Sequence, residues 1–110
     1  MIQVNYLGTL GNNMWQYAVG RILAEKNNLK LLCRPIPGFS KTKELVNGKI
    51  IHSPQKRIEG HIIDLDEEVN EKIILDGYFQ RYEYIKNYKK EVYGWFELNA
   101  EPPSNLKRTI

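Results

Sequence analysis

Apolar and polar positions alternate at the start of the chain, with Ile2, Val4 and Tyr6 on one side and Gln3 and Asn5 on the other, the period of a short strand. Beyond the turn Leu7-Gly8-Thr9-Leu10-Gly11-Asn12-Asn13 the period lengthens. Met14, Ala18 and Ile22 lie four apart with Trp15, Val19 and Leu23 beside them, which predicts a helix with a broad apolar stripe. Asn27-Asn28 ends that helix, because Asn tolerates the left-handed conformation there. Leu29–Cys33 then reads as a second strand, so the opening segment predicts a strand, helix, strand crossover with parallel strands and a right-handed connection.

Further along the signals are weaker. From Arg34 to Lys49 prolines, glycines and polar residues predict a loop, with a short helical turn around Lys43–Val46. Ile50–His52 and His61–Ile63 read as two brief strands around a polar loop, Ser53–Gly60, an assignment that such short runs leave open. Asp64–Asn70 reads as a loop or one helical turn. Lys72–Leu75 is a clear strand, and Tyr82–Leu98 a helix whose Tyr84, Ile85, Tyr88, Val92, Trp95 and Phe96 pack on the sheet while Lys86, Lys89, Lys90 and Glu91 face outward. Glu101-Pro102-Pro103-Ser104 breaks it. The order of elements gives an α/β fold, a Rossmann-like parallel sheet with flanking helices, in one domain spanning 1–110.

Two turns carry candidate chemistry. At the first, Gly8 and Gly11 let the backbone bend and approach a ligand, Asn12 offers a donor and an acceptor, and the helix start leaves backbone N–H groups unpaired. The structural alternative is that Asn13 and Gln16 form a variant capping box. A dinucleotide fingerprint is excluded, because its third glycine is missing. The second turn is Asp76-Gly77-Tyr78-Phe79-Gln80, at the end of the Lys72–Leu75 strand. Asp76 can accept a hydrogen bond from a sugar hydroxyl, Tyr78 offers an aromatic face with a polar tip, and Gln80 can donate and accept. Alternatively Asp76 and Gly77 fix a turn while Tyr78 and Phe79 fill the core. If both strands are parallel in one sheet, the two turns meet beyond the strand ends, where ligands of such sheets collect.

Composition narrows the function classes. The chain has 110 residues, 42% of them hydrophobic and 26% charged, as in a folded globular protein. Sixteen basic against thirteen acidic residues leave +3, spread along the chain, which gives little support to nucleic-acid binding. Cys33 has no partner for an internal disulfide and reads as a small core residue. One Cys with His52 and His61 does not make a closed zinc site, so no metal and no cofactor is expected. No leader pattern and no apolar run of ~20 residues is found, which places the expected compartment in the cytosol, with a peripheral position at a membrane surface as the alternative.

Gly8-Thr9-Leu10-Gly11-Asn12-Asn13-Met14-Trp15-Gln16-Tyr17-Ala18 resembles the N-terminal motif G-R-L-G-N-Q-M-F-Q-Y-A of the bacterial alpha-1,2-fucosyltransferases, glycosyltransferase family 11. Leu75-Asp76-Gly77-Tyr78-Phe79-Gln80 is similar to that family's L-[DE]-G-Y-F-Q, in the same order along the chain. Thr9, Asn13 and Trp15 replace the usual Arg, Gln and Phe. The resemblance implies transfer of L-fucose from GDP-fucose to a galactose hydroxyl, with inversion and without a required metal. It also implies the N-terminal part of a GT-B type enzyme, since the family's basic motif H-x-R-R-x-D, in the half that holds the nucleotide, is not matched. On that reading Gly8, Gly11, Asn12, Gln16, Tyr78 and Gln80 bind substrate, and Asp76 is the candidate catalytic partner of the acceptor hydroxyl. Negligible turnover is expected of the segment by itself. Two alternatives remain: a non-catalytic glycan-binding or assembly module that covers its sheet edge by homo-oligomerising, and a transferase using another GDP-sugar.

Overall fold

The computed structural model describes residues 1–60 and 62–97. Four strands form one sheet: β1 (Ile2–Val4), β2 (Leu31–Leu32), β3 (Gln55–Gly60) and β4 (Lys72–Gly77), in the spatial order β2-β1-β4-β3. Every pairing is parallel. Helix α1 (Leu10–Lys26) connects β1 to β2, and after β4 the chain forms α2 (Tyr82–Ile85), a 3-10 turn (Lys86–Tyr88) and α3 (Lys89–Trp95). The parallel sheet with flanking helices makes this an α/β fold.

Helix α1 lies across the face of the sheet formed by Val4, Leu31 and Leu75, and it comes closest at Gly20. A Cβ at Gly20 would overlap Val4 Cγ2, with Leu75 and Leu31 close behind. Ile22, Leu23, Val19 and Tyr17 of α1 are buried with Ile2, Val4, Ile73 and Leu75 in one core. Burying this stripe is what holds a helix of this length to the sheet, since propensity alone would leave it marginal. The second helical segment joins from the side. Trp95 and Phe96 set their ring edges against Tyr17, 6.2 and 6.1 Å between centroids, and Phe96 meets Phe39 of the long loop.

Several elements differ from the sequence reading. The helix begins at Leu10, one residue after Thr9, which caps it without a side-chain hydrogen bond, so Asn13 and Gln16 lie inside α1 and the Asn13 capping box does not form. The cause is Gly8, whose φ of +77° redirects the chain early enough for the helix to start at once. Ser53–Gly60 is not a loop: Gln55–Gly60 is β3, paired along its whole length with β4, whereas Ile50–His52 and Ile62–Ile63 are not strands and His61 lies outside the described residues. An edge strand with both faces largely in solvent has no apolar period to reveal it. Lys43–Val46 makes no helical turn, because Leu45 exchanges backbone hydrogen bonds with Leu31 as an antiparallel bridge. The Tyr82–Leu98 helix is divided by the 3-10 turn; Val92 and Trp95 are buried in the core that holds the sheet residues, with Tyr84, Ile85, Tyr88 and Phe96 packed against it. Leu98 and the Glu101–Ser104 break lie outside the described residues. The Asn27-Asn28 helix end is as read, with Asn28 at φ +51°.

Candidate functional site

Because β1 and β4 are parallel neighbours in register, Val4 opposite Leu75, the turns that follow them open at the same end of the sheet. The Gly8 turn rests on Gln16. This buried side chain, 1% exposed, accepts from the Leu7 N–H at 3.0 Å and donates to the Leu7 carbonyl at 3.2 Å. Asn13 adds a donor to the same carbonyl at 3.1 Å and another to Gln16 Oε1 at 3.2 Å. An amide buried with its donor and acceptor both engaged fixes backbone position. Gln16 therefore shapes the turn.

Across this turn stands the second one. Gln80 Nε2 donates to Asn12 Oδ1, joining residues 68 apart in sequence. Gly8 lies beneath both: a Cβ there would overlap Asn12 Nδ2 and come within 3.2 Å of the Tyr78 ring. Phe79, fully buried at φ +51°, turns the chain so that Tyr78 and Gln80 flank it on the open side. Gly8, Asn12, Tyr78 and Gln80 thus meet at one site, two amides and an aromatic ring gathered at the Gly8 backbone. At its foot the first N–H groups of α1, those of Leu10, Gly11 and Asn12, have no carbonyl one turn back to bond. Gly11 is exposed, and a Cβ there would meet nothing within 4 Å.

Asp76 does not join that cluster. Side chains alternate along β4, so Asp76 faces away from α1, on the side of the sheet that also carries Gln3, Asn5 and Arg57. A row of contacts crosses three strands there: Gln3 donates to Asn5 at 3.1 Å, Asn5 donates to Asp76 Oδ1 at 2.7 Å, and Arg57 Nη1 pairs with Asp76 Oδ2. With both oxygens held, Asp76 ties the end of β4 to β1 and β3. The sequence reading missed Asn5 and Arg57. Asn5 was legible as a polar residue at a strand end, whereas Arg57 was hidden in a segment read as loop.

The titratable groups with large shifts lie elsewhere in the chain. Cys33 is buried, and burial pushes its thiol up to about 11, which suits a core residue and not a nucleophile. Burial raises the Tyr17 phenol to about 12, against the Arg21 guanidinium that donates to its oxygen at 3.1 Å. Tyr6 is raised further still, mainly by burial. Among the described residues no group of His, Cys, Asp or Glu is placed to hold a metal ion, and no helix is long and apolar enough to cross a membrane.

The fold and the site define an α/β protein with two amides and an aromatic ring gathered beyond the carboxyl ends of β1 and β4. Comparison with protein-family models, curated proteins and solved structures gives no match.

Proposed function

We propose that this chain is the N-terminal, Rossmann-like segment of a GT-B type sugar transferase resembling the alpha-1,2-fucosyltransferases, and that the site where its two turns meet holds a saccharide. The observation that carries this is the Asn12–Gln80 bridge, which joins the two motif-like turns at one site. Side-chain amides that both donate and accept, beside an aromatic ring, match a sugar's alternating hydroxyls and apolar ring faces. They match a diphosphate less well, since Thr9 stands where the resemblance expects Arg. The segment is thus assigned the acceptor side of an inverting transfer from GDP-fucose to a galactoside. Asp76, turned to the opposite face and held by Asn5 and Arg57, anchors the second turn in this reading and is not the group that activates the hydroxyl.

The test is a titration of isotope-labelled protein with methyl β-galactoside, GDP and GDP-fucose, following backbone amides. Methyl galactoside is expected to shift Gly8, Gly11, Asn12, Gly77 and Gln80, with weaker or no response to GDP. No shift at those amides at millimolar galactoside overturns the reading.

A further inference from the structure

The two edges of the sheet are finished differently. At the β2 edge Leu45 exchanges backbone hydrogen bonds with Leu31 as an antiparallel bridge, so the chain covers part of that edge itself. At the other edge stands β3, and no described residue pairs with its outer side. The parallel pairing fixes which backbone groups are left over there. The carbonyls of Pro54 and Gly60 accept from the Lys72 and Tyr78 N–H groups, so the even-numbered residues of this stretch bond to β4. The N–H and C=O groups of Gln55, Arg57 and Glu59 therefore point away from the sheet. Their side chains share the face that carries Asp76. There Arg57 pairs with Asp76, whereas Glu59 stands in register beside Asp76, like charge next to like, and no ion pair among the described residues includes it.

From this edge we infer that β3 pairs with β3 of a second copy of the chain, antiparallel about a two-fold axis at Ile58, joining two four-stranded sheets into one. The saccharide reading does not bear on this pairing. A two-fold axis perpendicular to the sheet keeps every side chain on its own face, and only the outward-pointing residues can exchange backbone hydrogen bonds. Charge then selects the register. With Ile58 opposite Ile58, Arg57 of each copy lies opposite Glu59 of the other, twice by symmetry, each pair exchanging two backbone hydrogen bonds. The neighbouring registers set Arg57 against Arg57 or Glu59 against Glu59, and both are repelled. Charges on an edge strand ordinarily keep other strands away. Here they complement each other in the register centred on Ile58. The row Gln3, Asn5, Asp76, Arg57 then continues across the axis, and Glu59 gains the cation that its own chain does not give it.

The test is sedimentation velocity of the full chain from micromolar to millimolar concentration, with oxidative cross-linking to read the register. A reversible equilibrium between monomer and dimer is expected, weak because one strand edge buries less than a standard interface. Glu59 is exposed, and Glu59→Lys relieves its repulsion from Asp76 within each chain while setting two cations opposite each other across the axis. This variant is expected to dimerise about tenfold more weakly or worse. Ile58→Cys is expected to form an interchain disulfide under mild oxidation, because identical residues on the axis meet as a non-hydrogen-bonded pair with close Cβ atoms. Lys56→Cys, which falls opposite Gly60, is expected to stay unlinked. The buried Cys33 is common to both variants and supplies the background. A chain that stays monomeric to millimolar concentration overturns the inference. So does a dimer that Glu59→Lys leaves intact, which assigns the contact to another surface, or one that cross-links through position 56 and not through position 58.

Discussion

Gly8 and Gly11, three positions apart in one turn, answer to different constraints. Gly8 has a φ of +77° and lies under Asn12 and Tyr78, so a side chain there is both strained and obstructed. Gly11 is in the first turn of α1, with nothing within 4 Å of where a Cβ would stand. Gly8→Ala is expected to cost about 1–2 kcal/mol for the left-handed backbone alone, with the Asn12–Gln80 bridge displaced in addition. Gly11→Ala is expected to be neutral or to stabilise by up to about 1 kcal/mol, because Ala is the better helix former. Urea denaturation of the two variants measures both. Equal losses would mean that the turn does not have this backbone.

At the scale of elements, α1 is held where it is by its smallest residue. Gly20 lets the helix approach Val4, Leu31 and Leu75, and Gly20→Ala would force the helix outward or displace Val4, at an expected cost of about 1–3 kcal/mol. The crossover from β1 through α1 to β2 was legible in the sequence because each of its elements buries one apolar face, and burial imposes a period. Strand β3 was not legible. Its exposed residues Gln55, Lys56 and Arg57 answer to solvent, and its place in the sheet is fixed by backbone pairing to β4, which leaves no mark on side-chain pattern. The site divides in the same way. The meeting of the Gly8 and Tyr78 turns followed from reading two parallel strands. The outward direction of Asp76 depended on its position within β4, which runs to Gly77 rather than stopping at Leu75. Gln16 looked like a partner for a helix cap and turned out to hold Leu7, because α1 begins a turn earlier than its apolar stripe does.

Over the whole molecule, the groups raised by burial give stability a definite alkaline limit. Cys33 moves from an ordinary 9.0 up to about 11 and Tyr17 from 10.0 up to about 12, in both cases chiefly because burial disfavours the charged form. A folded-state value above the unfolded one means that the unfolded chain loses its proton first. The contribution of each group is therefore complete below its unfolded value and is lost as pH climbs through the folded one. The urea midpoint is expected to fall progressively between pH 9 and 12, and Cys33→Ala should soften the lower part of that fall. A midpoint that holds steady to pH 11 would contradict the buried, neutral state of the thiol. Across this molecule the central claim is that two turns, one after β1 and one after β4, are physically joined at a single site. A double-mutant cycle on folding stability with Asn12→Ala and Gln80→Ala tests it most directly. The account predicts a coupling of about 0.5–1.5 kcal/mol, the net worth of a hydrogen bond between neutral amides. Strictly additive losses would mean that the turns stand apart and that the joint site, with the function built on it, does not exist.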